Sequence, residues 1–242
     1  MEKLLEKTVG EIVADDYRTA SIFQAHQIDF CCNGNIELEL ACNKNNLDAN
    51  LIVEELKQVT SEASKGIDYA TWPVDLLVDY IEKKHHRYVE EKVLEIGKYL
   101  EKICQVHGQA HSELIEIANL FEAGTGELTK HMKKEELILF PFIRKMVKAS
   151  TNGDHVNVPF FGSVQSPIAT MHEEHDNEGE RFRKISALSN QYTPPKDACN
   201  TYQVTYAMLK EFEEDLHLHI HLENNILFPK AVALEAELKE LN

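Results

Sequence analysis

No stretch of this 242-residue chain holds the roughly 18 consecutive apolar residues that a membrane-spanning helix needs. Its first residues, MEKLLEKTVGEIVADD, are broken by a charge every two or three positions, with no apolar core and no small-residue cleavage site. Neither export nor membrane insertion is expected. Positive charge is scarce as well: 25 Lys and Arg stand against 41 Asp and Glu, a formal net charge of −16. Sustained contact with nucleic acid or an anionic membrane face needs local positive charge, so neither is expected as a partner. Paired cysteines are also missing. Cys31, Cys32, Cys42, Cys104 and Cys199 are odd in number and lack the rhythm of a disulfide framework. Thiols in a reducing compartment, the cytoplasm, are the expectation.

Short helical patterns cover Val9–Ala25 and Leu51–Ala63, with a Cys-Cys-Asn-Gly turn between them. Ser64-Lys65-Gly66 and Trp72-Pro73 punctuate a linker. A small helical domain over 1–69 and a larger domain over 70–242 follow from that boundary. From Val74 onward the periodicity is helical throughout. Helix one should run about Val74–Val106 and helix two about Glu113–Lys148, with a break at Gly124-Thr125-Gly126 left open. Helix three should start at Ser166-Pro167, a cap followed by proline, and reach about Asn190. Helix four should span Asp197–Phe228, with a short tail after Pro229. Two short connections around a longer middle one predict an all-α, up-and-down four-helix bundle.

One motif occurs twice. His131-x-x-x-Glu135 and His219-x-x-x-Glu223 are each followed by Ile-Leu-Phe-Pro in the same register, ending at Pro141 and Pro229. Residues four apart share a helical face with Cβ atoms roughly 5–6 Å apart. Each copy therefore presents an imidazole beside a carboxylate, and two such pairs on two helices suit metal ions held between helices. Duplication further implies one ligand on the first helix of each hairpin. Helix one offers His85 and His86, and helix three offers His172 and His175. Choosing His85 and His175 places Glu90 and Glu180 five residues later in both, although spacing alone leaves His86 and His172 open. Imidazole and carboxylate without thiolate suit iron, manganese or zinc.

His217 and His221 flank His219, but the Phe-Pro register selects His219 and leaves its neighbours as supporting or surface groups. His26, His107, His111 and His155 have no spaced partner. Glu127 and Glu174 are candidates to orient ligands or relay protons. In the small domain, Asp29-Phe30-Cys31-Cys32-Asn33-Gly34 stands out. Adjacent cysteines do not match zinc-site spacing. Exposed beside a helix N-terminus, they would be activated nucleophiles; buried, they would simply pack the turn.

With these residues in place the chain resembles the iron–sulfur cluster repair di-iron proteins, which join a Cys-Cys domain to a hemerythrin-like bundle. The resemblance rests on Asp29-Phe30-Cys31-Cys32, His131–Pro141, Glu174-His175-Asp176, Pro194-Pro195-x-x-Ala198-Cys199 and Leu218–Pro229. It implies metal ligands at His85, His131, Glu135, His175, His219 and Glu223, holding two iron ions bridged by oxo and carboxylate groups. It also implies restoration of clusters damaged by oxidative or nitrosative stress, with two chemistries open: iron donation, and reduction of nitric oxide to nitrous oxide. Expected partners are damaged iron–sulfur proteins, nitric oxide or oxygen, and a second copy of the chain in a homodimer. The family commonly reads Cys-Cys-Gly-Gly, whereas Asn33 and Asn35 flank Gly34 here, which leaves a thiol role for Cys31 and Cys32 open. The alternative function is a hemerythrin-like protein that binds or senses oxygen or nitric oxide. Hemerythrins proper carry His-x-x-x-x-Asp in the second motif, so the symmetric His219-x-x-x-Glu223 counts against it.

Overall fold

The computed structural model describes residues 2–61 and 67–240, with the side chains of residues 2 and 3 left aside. The expected linker Ser64-Lys65-Gly66 lies outside the described residues. Among those residues there is no β-sheet, only a single antiparallel bridge between Thr8 and Glu37. The chain groups into two compact units: Met1–Val78 with Met146–Asn157 and Ile220–Asn242, and Asp79–Lys145 with Val158–His219. The first unit thus takes in more than the residues before the boundary expected near residue 70.

Within the first unit, short helices run Val9–Asp15, Ala20–Ala25, Leu38–Lys44 and Ala49–Ser61. Val9–Asp15 opens with a capping box: Thr8 Oγ1 accepts from the Glu11 amide and the Glu11 carboxylate accepts from the Thr8 amide. Val9, Val13, Phe23, Leu38, Val53 and Leu56 are all but inaccessible and form the core of this unit. The pattern expected over Val9–Ala25 is interrupted, because the Asp16 side chain caps a separate 3-10 turn at Tyr17–Thr19. An Asp that bonds its own downstream backbone competes with helix continuation.

Four long helices make up most of the remainder. The first runs as Val74–Tyr80, a π-helical stretch Ile81–His86, and Arg87–His107. The second runs as Glu113–Lys134, a π stretch Glu135–Leu139, and Phe140–Asn152. The third is Gln165–Leu188. The fourth runs as Asn200–Leu222, a π stretch Glu223–Leu227, and Phe228–Glu240. Leu77, Ile81, His85, Val89, Ile96, Leu100 and Ile103 are buried on the first helix, the spacing of three and four that an inward-facing stripe requires. In the second unit, Phe121, Phe182 and Phe212 join three of the helices, with Phe182 stacked on Phe212 and Phe121 edge-on to both.

Two details depart from the expected elements. The second helix does not break at Gly124-Thr125-Gly126. Thr125 Oγ1 bonds back to the Phe121 carbonyl, and side chains of the third helix crowd Gly124. A Cβ at Gly124 would meet Glu178 Oε1 at 2.5 Å and Arg181 Cδ at 2.7 Å. The fourth helix also continues past Pro229 to Glu240. Proline lacks an amide hydrogen and its ring clashes with the carbonyl four residues back. The π stretches just before Phe140-Pro141 and Phe228-Pro229 lengthen the hydrogen-bond register there, so the helix passes through the proline.

Candidate metal centre

The three π stretches carry the chemistry. His85 and His86 end the first, Glu135 opens the second and Glu223 opens the third. Single π turns inside α-helices recur at functional sites because they re-aim side chains that a regular helix would spread evenly. His85, His86, His131, Glu135, His175, His219 and Glu223 are all at most 3% exposed.

In the second unit five of these groups converge: His86, His131, Glu135, His175 and His219. His86, Glu135 and His219 offer donor atoms within 4.8 Å of one another, and so do His131, Glu135 and His175. Glu135 belongs to both sets. Its Oε2 lies 3.4 Å from His86 Nε2 and 3.4 Å from His131 Nε2. These separations are longer than normal hydrogen bonds. Both Glu135 oxygens are buried without a hydrogen-bond partner. His131 Nε2 and His175 Nε2 approach to 3.0 Å. Two nitrogens about 2.1 Å from one ion at a right angle stand about 3.0 Å apart. Glu223 follows His219 by four residues on the same helix, which sets the two side chains on one face.

The far nitrogens of the imidazoles are held by carboxylates. His86 Nδ1 pairs with Glu136 Oε1 at 3.0 Å, and His131 Nδ1 pairs with Glu174 Oε2 at 2.9 Å. Such partners fix the tautomer with hydrogen on Nδ1 and leave Nε2 as the inward donor. Burial raises the Glu136 and Glu174 carboxyls, but Lys133 and His86 in one case, and Lys134 and His131 in the other, outweigh it and hold both below the ordinary range. A cavity of about 340 Å³, lined in part by Glu127, Glu174 and Glu178, reaches His131 and His175. Glu178, buried and tied to Arg181, keeps Oε1 without a hydrogen-bond partner, and burial raises its carboxyl.

The geometry departs from the expected ligands at one position. His86, and not His85, stands with Glu135 and His219. His85 occupies the apolar stripe between Ile81 and Val89; its Nδ1 pairs with Asp215 at 3.0 Å and its ring stacks on His219 with centroids 5.5 Å apart. Spacing left His85 and His86 open and the family resemblance implied His85; the π turn that ends at His86 instead sets His86 beside Glu135. Of the other expected ligands, the structure gathers His131, Glu135, His175 and His219 in the second unit. Glu174 pairs with His131 Nδ1, while Glu127 pairs with Arg181 at 2.7 Å. Glu136 and Asp215 were missed. The signal for Glu136 was available, three residues after Lys133 and next to Glu135, but Asp215 lies 130 positions from its histidine.

His221 is no surface group: it is fully buried in the first unit against Tyr17 and Phe30, and burial depresses its pKa to about 3. The cysteine turn belongs to the same unit. Cys31 is buried, and its thiol is pushed well up by the hydrogen bond with Cys32 and then by burial, so it is not an activated nucleophile. Asn224 Nδ2 donates to the Cys31 carbonyl, and Asn225 Nδ2 donates to the Phe30 and Cys31 carbonyls. Gly34 is the glycine this turn requires, since a Cβ there would meet the Phe30 carbonyl at 2.4 Å. Asn33, in place of the family's first glycine, donates to Asp29 Oδ2 instead.

An all-helical chain whose buried histidines and glutamates meet across a bundle is a cation-binding protein of the hemerythrin class, and residues 77–231 match the hemerythrin HHE cation-binding domain. Residues 5–60 match a domain of unknown function, DUF542. Over 226 residues the chain is 34% identical to the iron-sulfur cluster repair protein YtfE of Yersinia pestis, covering 93% of this chain and 96% of the relative. The same identity and coverage hold for the protein of that name in Yersinia pseudotuberculosis. The chain belongs to this family of two-domain, hemerythrin-like iron–sulfur cluster repair proteins. No helix among the described residues is long and apolar enough to cross a membrane.

Proposed function

We propose that this protein restores damaged iron–sulfur clusters in the cytoplasm by means of a non-haem di-iron centre. Its ligands are His86, His131, Glu135, His175, His219 and Glu223. The observation that carries the proposal is Glu135: a carboxylate buried to 0% exposure, with neither oxygen hydrogen-bonded, shared by two groups of histidines. Burying a carboxylate that accepts no hydrogen bond costs several kcal/mol, so such a group calls for cations. One carboxylate with histidines on both sides suits two ions, and Glu223 holds the same position in the second copy of the motif.

Iron at this site would supply reversible redox chemistry and a labile metal pool. The chain's own residues set the conditions. Glu136 and Glu174 keep the Nδ1 protons of His86 and His131 in place, so each Nε2 stays available. Lys133 and Lys134 hold these two glutamates in their anionic form. Phe140, stacked on His86 at 5.6 Å, shields that side from water. The cavity beside His131 and His175 admits a small molecule such as nitric oxide, or lets an ion leave.

Anaerobic exposure of the iron-loaded protein to nitric oxide, followed for nitrous oxide and iron release, tests the proposal together with transfer to an apo cluster protein. Cluster restoration in the wild type and its loss in Glu135→Gln supports it. Restoration that survives Glu135→Gln, or an iron content well below two per chain, refutes it. Nitrous oxide formed with iron retained assigns reduction as the chemistry; iron transferred without nitrous oxide assigns donation.

A further inference from the structure

Beyond the histidine-rich site, the first unit brings together a second set of donors on a different element. Cys31 Sγ and Cys32 Sγ lie 3.7 Å apart, and Asp29 Oδ1 lies 3.5 Å from Cys31 Sγ. One donor atom from each of the three lies within 4.8 Å of the others. We propose that Asp29, Cys31 and Cys32 form a separate binding site for one thiophilic divalent cation of the Fe(II)/Zn(II) class.

The distances carry the argument. For bonds of about 2.3 Å to sulfur and about 2.0 Å to oxygen, a tetrahedron has an S–S edge of about 3.8 Å and an S–O edge of about 3.5 Å. The separations in the turn match both edges. A disulfide would need sulfurs about 2.05 Å apart. Adjacent cysteines lack the usual C-x-x-C spacing of zinc sites; here the carboxylate two residues earlier provides the third vertex. The fourth vertex is left to water or to an incoming ligand.

The donors are also preorganised. Asp29 Oδ1 accepts from the Cys31 and Cys32 amides at 3.1 and 3.0 Å, and Asp29 Oδ2 accepts from Asn33 Nδ2 at 2.8 Å. Outer bonds of this kind orient a ligating carboxylate. The carbonyls of Phe30 and Cys31 are anchored by Asn225 and Asn224, the residues immediately after Glu223. Asp29, Cys31 and Cys32 all carry negative charge when ionised, and their donor atoms lie together in the turn. A divalent cation neutralises that charge and displaces the thiol protons. The departure from Cys-Cys-Gly-Gly also acquires a purpose, because Asn33 steadies the carboxylate and Gly34 keeps the turn tight.

Cobalt(II) titration of the full-length, reduced protein under anaerobic conditions tests the site. Cobalt bound by histidine and carboxylate gives no sulfur-to-metal charge transfer, so the two sites are distinguished in one spectrum. The expected result is thiolate-to-cobalt charge transfer with intense four-coordinate bands, saturating at one equivalent. It should be retained in Cys199→Ser, abolished in Cys32→Ser, and weakened on the order of tenfold or more in affinity in Asp29→Asn. Cys32 is only partly buried and Asp29→Asn is isosteric, so both variants test the site even if Cys31→Ser fails to fold. Absence of the charge-transfer band in the wild type, its persistence in Cys32→Ser, or its loss in Cys199→Ser overturns the proposal. None of these outcomes depends on cluster repair or on Glu135.

Discussion

Replacing Glu135 by leucine should make the metal-free protein more stable while removing its response to iron. Both Glu135 oxygens are buried and lack hydrogen bonds, and the side chain has 0% exposure. An unsatisfied buried polar group costs about 1–3 kcal/mol on mutational scales, and leucine fills a similar volume without it. For a chain of this size, each kcal/mol moves the melting temperature by roughly 2–4 °C. Metal-free Glu135→Leu should therefore melt about 2–12 °C above the metal-free wild type. Iron acts in the opposite sense. At a free concentration of about 100 times Kd, a bound ion stabilises the native state by about 2.7 kcal/mol, roughly 5–11 °C on the same scale. The wild type should show this rise anaerobically with iron(II), and Glu135→Leu should not. Calorimetry of both proteins with and without metal measures all four values. A metal-free Glu135→Leu that melts below the wild type would show that Glu135 is satisfied inside the apo fold, and the argument for a cation at this carboxylate would fail.

Three further outcomes follow from other parts of the molecule. Gly34→Ala forces a Cβ to within 2.4 Å of the Phe30 carbonyl; a loss of about 1–3 kcal/mol is expected in denaturant unfolding, and an unchanged midpoint would show that the turn relaxes freely. Cys199, exposed at the start of the fourth helix, has its thiol lowered to about 7 by the Tyr202 amide and by His107, whose Nε2 lies 3.2 Å away. Mass spectrometry after brief alkylation should find Cys199 modified first of the five cysteines, with a rate that rises through pH 7, whereas faster labelling of Cys31 would contradict the burial described for the turn. Burial raises Glu213 to about 7 from an ordinary value of 4.5, so between pH 4.5 and 7 the folded state holds a proton that the unfolded state has released. Stability attributable to this group is present below pH 4.5 and is lost as pH rises through 7, up to roughly 3 kcal/mol. Glu213→Gln should gain stability over the wild type at pH 8 and match it at pH 4.5, as read by urea midpoints at both values.

Local periodicity made much of this legible. His131 with Glu135 and His219 with Glu223 are visible because four residues make roughly one helical turn, and the Ile-Leu-Phe-Pro that follows set the register that picked His219 from three histidines. What periodicity could not show was a change in the helix itself. The π turn over Ile81–His86 moves His86 to the Glu135 side and leaves His85 in the apolar stripe, a shift invisible to residue counting. The same kind of turn carries the fourth helix through Pro229, where proline normally reads as a stop. Gly124 reads as a break and instead makes room for Glu178 and Arg181. His221, flanking a metal-site histidine, gives no sign in the sequence that Tyr17 and Phe30 enclose it. Long-range partners were the other blind spot. Asp215 orients His85 from 130 positions away, and Asn224 and Asn225 anchor a turn almost 200 residues earlier. Asp29 was in plain view beside Cys31 and Cys32, yet only the folded turn aligns its carboxylate with the sulfurs.

The most direct test of the di-iron centre compares iron bound per chain in His86→Asn and His85→Asn after anaerobic loading. Asparagine can keep the hydrogen bond made by Nδ1 while deleting the Nε2 donor, so each variant asks only whether that nitrogen holds metal. The wild type and His85→Asn should each hold two irons, and His86→Asn should hold one or none. Two irons retained in His86→Asn, with loss in His85→Asn, would contradict the arrangement around Glu135.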